Sequence, residues 1–163
     1  MKIIFENSIF LHQSVGGISK YISKINQIFQ KKKINSIIYS PISINNNLDI
    51  KKNYNISYFK FKKIPRFCTK LFYLINNLAT FFFINLYKPD LVHFSYYNNS
   101  LLRFVNIPYV LTIYDLISEK RKYVEKKFQK EQLLQNASHI ICISSITKKD
   151  LILISIILVF ITI

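Results

Sequence analysis

The sequence predicts an α/β fold, a mainly parallel sheet flanked by helices. Short apolar runs alternate along the chain with longer segments of helical period, which is the pattern of βαβ units. The apolar runs are hydrophobic throughout rather than at every second residue, as expected of strands buried on both faces. With 163 residues, half of them hydrophobic, the chain is long enough to form one domain with its own core.

The first half of the chain begins with a compact apolar run, followed by a loop that ends in Gly16 and Gly17. Apolar residues from Ile18 to Phe29 then recur at three- and four-residue spacing, which places them on one face of a helix. The next apolar run stops at Pro41, and the Asn-rich stretch 42–55 predicts a loop. The elements predicted in this half are strand 2–5, helix 18–29, strand 36–40 and strand 56–61.

The second half opens with a long apolar stretch that ends at Lys88-Pro89 and predicts a helix. Three more short apolar runs follow, and a charged amphipathic segment separates the last two. The elements predicted in this half are helix 67–87, strand 91–94, strand 109–113, helix 119–135 and strand 139–143.

The charge is strongly positive, with 23 Lys+Arg against 8 Asp+Glu and a net charge of +15. Lysine supplies nearly all of it, since only Arg66, Arg103 and Arg121 are arginine. Base readout favours the planar donor set of arginine, so nucleic-acid binding is not expected. Contact with anionic lipid needs only point charges, which lysine provides. Two cysteines are too few for a disulfide scaffold or a self-contained zinc site.

Two apolar segments raise the question of a membrane span. The segment 71–87 contains Asn76, Asn77 and Asn85 and is shorter than the roughly 20 apolar residues that a spanning helix needs, so a buried core helix or an interfacial helix is expected. The segment 151–163 carries no charge and is shorter still. Its composition changes abruptly from that of the preceding chain, so we expect the native reading frame to end near Asp150 and the tail to be a frameshift product.

The first candidate site is the pair Gly16-Gly17 between the first strand and the first predicted helix. Glycine lets backbone N–H groups approach a phosphate, and a helix N-terminus adds a partial positive charge. A plain tight turn is the alternative. These are the only two glycines in the chain, and their position at a strand-to-helix junction favours a ligand site.

Two further candidates follow strands. Tyr114 and Asp115 end one strand, where parallel sheets place ligands, although an aspartate there also caps helices. His93 precedes Tyr96 and Tyr97, whose rings can stack on a sugar or nucleobase. A buried structural histidine is the alternative for His93. The histidines and cysteines show no metal-ligand spacing.

Four segments, taken in order, resemble those of a glycosyltransferase family 4 (group 1) enzyme. Segment 5–21 resembles the opening of such enzymes, and segment 88–97 resembles the strand and loop that follow. Segment 108–116 matches the place where many members have Thr-x-His-Asp, with Tyr114 where a histidine is common. Segment 137–151 resembles the last strand before the interdomain linker. Together these segments extend over nearly the whole chain.

The resemblance implies the N-terminal half of a GT-B fold, in which two Rossmann-like domains face each other across the active site. Residues 1–150 would be the acceptor-side domain, 151–163 the apolar tail, and the donor-binding domain would be absent. The implied reaction is retaining transfer of a hexosyl group from a nucleotide-sugar donor to a glycan or lipid-linked acceptor, without a bound metal or other cofactor. Such enzymes serve polysaccharide biosynthesis at the cytoplasmic side of a membrane.

The resemblance also implies roles for individual residues. Tyr114 and Asp115 would be catalytic, and the substrate-binding residues would be Gly16, Gly17, His93, Tyr96, Tyr97 and Ser144. Because one domain offers only half of the site, the chain alone is expected to be inactive. The competing hypothesis is a non-enzymatic basic module that binds anionic membrane or nucleic acid.

Overall fold

The structure is a computed structural model, and it describes residues 1–48, 55–94, 106–114, 133–154 and 161–162. Its strands are β1 Lys2–Phe5, β2 Asn35–Tyr39, β3 Ile42–Ser43, β4 Asn55–Ile56, β5 Phe59–Lys60, β6 Leu91–Phe94, β7 Tyr109–Ile113, β8 His139–Cys142 and β9 Ile161–Thr162. Its helices are α1 Ser8–His12, α2 Gly17–Lys31, α3 Thr69–Tyr87 and α4 Ser145–Ile154, with a 3₁₀ turn at Arg66–Cys68.

Within the described residues, seven strands form one sheet in the order β4-β2-β1-β6-β7-β8-β9, and all neighbouring strands are parallel. The predicted α/β class is therefore confirmed. The chain moves outward from β1 to β2 and β4, then returns to place β6 on the other side of β1. Phe5 is level with both Ile38 of β2 and His93 of β6. This reversal of direction makes the carboxyl ends of β1 and β6 the point where such sheets bind ligands.

The hydrophobic core covers both faces of the sheet. Ile3 and Phe5 pack on one face with Ile22 of α2, whereas Ile4 packs on the other face with Leu111 of β7. All five side chains are buried. The unbroken apolar run of β1 therefore reflects a strand that is covered on both faces. Full burial of a side chain of this size contributes roughly 1.5–3 kcal/mol relative to exposure.

The predicted strand 56–61 is two short strands in different sheets. β4 pairs with β2 in the main sheet, whereas β5 pairs with β3 in a separate two-stranded sheet. The break occurs because the backbone N–H groups of Tyr58 and Phe59 both donate to the carbonyl of Pro41, each at 2.9 Å. The stretch predicted as a loop after Pro41 accordingly begins with β3.

Helix α1 was not predicted, because its five residues are too few to show a period. The turn forms where the Glu6 carboxylate accepts hydrogen bonds from the backbone N–H of Ser8, at 2.7 Å, and from the Ser8 hydroxyl. The N–H of Phe10 then donates to the carbonyl of Asn7 at 2.9 Å. Nearly all of α1 is buried.

Helix α4 extends across position 150, and Leu151 is buried in the same core cluster as Ile140 of β8. Ile161 is level with Ile140 in the pairing of β9 with β8. The domain boundary at 150 and the frameshift origin of the tail stay predictions. Most of the predicted helix 119–135 lies outside the described residues. Its last three residues, 133–135, are described and are helical.

Candidate functional site

Polar residues gather at the carboxyl ends of β1, β6 and β7. Glu6 follows β1 directly, and its backbone N–H donates to the carbonyl of His93 at 3.0 Å. The Glu6 side chain is fully buried. An acidic residue at this position was not among the predicted site residues, although a lone carboxylate directly after the first apolar strand is a visible signal.

The loop after β1 is fixed from two sides. The Glu6 carboxylate holds Ser8, as described above, and the side-chain amide of Asn7 donates to the Thr80 hydroxyl on α3. Asn7 and Thr80 are both fully buried. These bonds hold the loop beside the carboxyl end of β1, although the buried Oδ1 atom of Asn7 has no hydrogen-bond partner among the described residues.

His93 is a buried, neutral imidazole. Its Nε2 lies 2.7 Å from the hydroxyl oxygen of Thr112 on β7, and its ring lies 5.1 Å from that of Phe5. Burial lowers the pKa of His93 from 6.5 to about 4, because the interior disfavours the charged form. The structure thus gives His93 the hydrogen-bonded environment of a structural histidine, although it lies at the predicted edge of the sheet.

Tyr114 and Tyr21 form an aromatic pair over this edge, with ring centroids 6.1 Å apart in an edge-to-face arrangement. Burial raises the pKa of Tyr114, and the neighbouring Tyr21 phenol and Glu6 raise it further, while the Thr112 hydroxyl offsets part of the rise. Burial also raises the pKa of Tyr21. Both phenols consequently stay protonated at neutral pH and can donate hydrogen bonds. Among the described residues, none forms a hydrogen bond of standard geometry with the Tyr114 hydroxyl.

Gly16 and Gly17 begin helix α2, but they differ in their surroundings. Gly16 has an extended backbone (φ −175°) that any residue can adopt, and a Cβ there would lie 1.5 Å from the side-chain oxygen of Gln13. A Cβ on Gly17 would meet no atom within 4 Å. Since α2 has neither a side-chain cap nor an acidic residue in its first turn, its N-terminus is open at Gly17.

The Asn-rich stretch after β3 secures the glycine loop. The side-chain amide of Asn45 donates to the Gln13 carbonyl at 2.6 Å, and that of Asn47 donates to the Gly16 carbonyl at 3.2 Å and to the Ser19 hydroxyl at 2.9 Å. Asn45 is fully buried. The sequence predicts this stretch only as a loop, because asparagine is typical of turns, and the long-range partners of Asn45 and Asn47 leave no local pattern.

An open groove of about 630 Å³ runs along α2 from this loop. Its walls include Gly17, Lys20, Tyr21, Lys24 and Asn47. Two lysines and an amide beside an open helix N-terminus suit an anionic ligand that also carries hydroxyl groups.

The structure brings some of the predicted site residues together. Tyr21 in the first turns of α2 joins the Gly16-Gly17 loop to Tyr114, and Thr112 joins this aromatic pair to His93. Ser144 has a structural role, since its side chain caps α4 by accepting a hydrogen bond from the N–H of Thr147 at 3.1 Å. The other predicted residues, Tyr96, Tyr97 and Asp115, lie outside the described residues. In the described part of the chain, no three His, Cys, Asp or Glu side chains form a group that could hold a metal ion.

The doubly wound parallel sheet, with its polar cluster at the reversal point between β1 and β6, places the chain in the class of Rossmann-like domains that bind a ligand at the carboxyl edge. Within that class, residues 15–156 match the family model described as Glycosyltransferase Family 4. The chain therefore belongs to glycosyltransferase family 4, as its motifs predict.

Two solved structures share the fold. One is the apo form of the lipopolysaccharide outer core galactosyltransferase WaaB, with 17% identity and a TM-score of 0.59 over 100% of this chain. The other is a sucrose-phosphate synthase from Thermosynechococcus elongatus, with 15% identity and a TM-score of 0.57 over 99% of this chain and 86% of that one. The present chain spans 45% of the length of the galactosyltransferase. No curated protein matches the sequence.

Proposed function

We propose that this domain forms the acceptor-side wall of a glycosyltransferase active site, where a sugar passes from a nucleotide-sugar donor to a glycan or lipid-linked acceptor. One observation carries the proposal: the open N-terminus of α2 lies beside the Tyr21–Tyr114 pair at the carboxyl edge of the sheet. Membership of the family supports it.

The glycine loop is proposed to border the diphosphate of the donor. Gly17 is exposed and α2 has no side-chain cap, and an open helix N-terminus attracts phosphate oxygens through its N–H groups and its partial positive charge. Lys20, one turn along the helix, lines the same groove and adds a positive charge.

The proposed reacting centre includes Tyr114 and Asp115. Because its pKa is raised, the Tyr114 phenol is a neutral donor suited to a sugar hydroxyl. We propose that His93, with its depressed pKa, acts on the acceptor side by orienting Thr112 rather than by carrying charge. Tyr96 and Tyr97 are proposed to line the same side by stacking on a sugar ring.

Ser144 is the remaining residue proposed to contact substrate. Its hydroxyl accepts a hydrogen bond from the N–H of Thr147 and shares another, 2.9 Å long, with the Thr147 hydroxyl. A contact with ligand would therefore use whichever of its hydrogen and its second lone pair the Thr147 hydroxyl leaves free. We further propose that the transferred group is a hexose and that transfer retains the configuration of the sugar. The reaction would serve polysaccharide synthesis at the cytoplasmic face of an anionic membrane.

Transfer requires donor and acceptor to be held together in a near-attack geometry. The described residues form one wall of such a site, so we propose that a donor-binding domain is needed as well. On this proposal the 163-residue chain binds ligand and does not turn it over.

A charge placed at Gly17 tests the proposal. Gly17→Asp favours the helix, since an acid in the first turn suits the dipole, but it repels an anionic ligand at the same point. Gly17→Asn has the same size without the charge and serves as the matched control. We expect a panel of nucleotide-sugars, titrated calorimetrically, to bind the Asp variant about tenfold more weakly, consistent with the loss of about 1.4 kcal/mol, and the Asn variant nearly as well as the natural chain.

Equal binding to both variants, or the absence of any nucleotide-sugar binding, would contradict the proposed role of α2. The absence of any sugar transfer after fusion to a donor-binding domain would contradict the proposed function. A sugar-transfer assay completes the test. Turnover by the 163-residue chain alone would contradict the need for a second domain, while turnover only when a donor-binding domain is fused to it is the expected result.

A further inference from the structure

Helix α3 buries polar residues as well as the apolar Ile84 on the side that faces the protein. The side chain of Asn76 accepts from the N–H of Ile42 and donates to the carbonyl of the same residue, both at 2.8 Å. One turn further, the Thr80 hydroxyl accepts from Asn7. Asn76 and Thr80 are fully buried, so the inward face is fixed by specific hydrogen bonds.

The opposite side of α3 is apolar and exposed. Large side chains follow one another at intervals of three or four residues, which places them on one face of the helix. The exposed fraction is 62% for Phe82 and 83% for Leu86. This face, here called the outer stripe, consists of Leu71, Leu74, Ile75, Leu78, Phe82 and Leu86.

The chain that leads into α3 carries exposed aromatic residues and exposed lysines, and Lys88 follows the helix. Tyr58, Phe59 and Phe67 are exposed, Phe67 to 87%. Between positions 55 and 89 the sequence contains no acidic residue. It contains six basic ones in the same interval, namely Lys60, Lys62, Lys63, Arg66, Lys70 and Lys88.

We propose that the outer stripe of α3 lies in the interface of an anionic membrane, with the helix parallel to the surface. An apolar stripe bordered by lysines and aromatic residues is the pattern of helices that lie in the headgroup region. The stripe extends for roughly 22 Å at a rise of 1.5 Å per residue, and a lipid surface covers such a length without a shape-matched partner. No helix among the described residues is long and apolar enough to cross a bilayer.

The positive charge around α3 favours an anionic lipid surface over a second copy of the chain as the partner of the outer stripe. A second copy of the chain, docked through the same stripe, would bring two sets of these basic residues to one interface with no acid between 55 and 89 to pair with them, which disfavours association. Anionic headgroups attract each lysine near the surface. The inference rests on the membrane contact that is part of the proposed function and assigns a surface to it. It does not depend on sugar transfer, because the outer stripe lies on the side of α3 opposite to Thr80, which accepts a hydrogen bond from Asn7.

Vesicle binding by the full chain tests the inference. Vesicles of phosphatidylglycerol mixed with phosphatidylcholine are expected to co-sediment the protein, whereas pure phosphatidylcholine vesicles are expected to do so far less. Leu74→Glu combined with Leu78→Glu should weaken binding to the mixed vesicles about 100-fold or more, because two leucines lose their burial in the interface. Ile146→Glu combined with Leu153→Glu changes two exposed residues of α4 and should leave binding unchanged.

A second pair of variants tests the contribution of the lysines. Lys62→Gln, Lys63→Gln and Lys70→Gln together should weaken binding on the order of 100-fold, because each lysine near an anionic surface contributes about fivefold. The control alters three exposed lysines on other elements, Lys31, Lys32 and Lys149, and should lower binding far less.

A fluorescent probe gives a readout that does not depend on affinity. The chain contains no tryptophan. Phe82→Trp therefore introduces a single tryptophan in the outer stripe, and Ile146→Trp introduces a single tryptophan on α4. A blue shift with anionic vesicles for the first variant and none for the second is expected. The inference is overturned if neither probe shifts, if the control variants lose binding equally, or if the protein dimerises through the stripe and ignores vesicles.

Discussion

The buried imidazole of His93 makes stability depend on pH in a defined direction. Its pKa is lowered from 6.5 to about 4 by burial, so the folded state disfavours the proton that the unfolded state accepts. The stabilising contribution is therefore complete above pH 6.5 and is lost as the pH falls toward 4. The linkage relation gives a loss of about 2 kcal/mol at pH 5 and about 3 kcal/mol at pH 4.

Replacement by glutamine isolates this effect. His93→Gln removes the titrating group and keeps an amide that can bond the Thr112 hydroxyl, which lies 2.7 Å from the imidazole nitrogen. Urea unfolding at pH 7.5, 6, 5 and 4 should show the natural chain losing about 3 kcal/mol more than the variant over this range. The two proteins are identical at every other position, so the difference between the two pH profiles belongs to His93.

A direct measurement decides the same point. The ¹⁵N chemical shifts of the His93 ring, followed against pH by NMR, should show a neutral imidazole down to about pH 4. Parallel stability profiles for the two proteins, or a His93 pKa near 6.5, would refute the argument that burial against Phe5 and Thr112 keeps the ring neutral.

Two other variants probe how the site is held. Asn76→Ala leaves the buried N–H of Ile42 without a partner, while the Ile42 carbonyl keeps the Ser40 hydroxyl at 3.2 Å. The variant should lower the free energy of unfolding by about 1–3 kcal/mol, whereas Asn85→Ala, exposed on the same helix, should change it by less than about 0.5 kcal/mol. Urea denaturation measures both, and equal effects would refute the role of the inward face. Ser144→Ala removes the cap of α4 and should lower the free energy of unfolding by about 1 kcal/mol. Ser144→Asp should restore most of this loss in the same urea titration. An unchanged unfolding midpoint for the Ala variant would contradict the role of Ser144 as a cap.

Much of the fold follows from local pattern. The strands at 2–5, 91–94 and 109–113 have the predicted bounds, because a buried parallel strand needs an unbroken apolar run that is visible in the sequence. Helix α2 contains the predicted segment 18–29 because its apolar positions recur with the helical period. The divided strand at 56–61 was not predictable, since it depends on a carbonyl of Pro41 that is distant in the sequence.

The site divides in the same way. Tyr114 and His93 were predicted because both lie at the end of an apolar run, where a parallel sheet exposes its ligand-binding edge. Glu6, Tyr21 and Thr112 were not predicted as site residues. Glu6 has a visible signal, since it is a lone carboxylate directly after the first apolar run. The importance of Tyr21 and Thr112 comes from which strands and helices are neighbours, and the sequence carries no local sign of that arrangement.

By itself, the sequence determined the alternation of strands and helices, the family motifs and the glycine pair, because each depends on residues close together in the chain. Only the tertiary structure decided that Tyr21 meets Tyr114, that asparagines 45 and 47 secure the glycine loop, and that α3 turns its polar side inward. The physical reason is that strand order sets these contacts, and hydrogen bonds between residues thirty or more positions apart leave no periodic trace in the sequence.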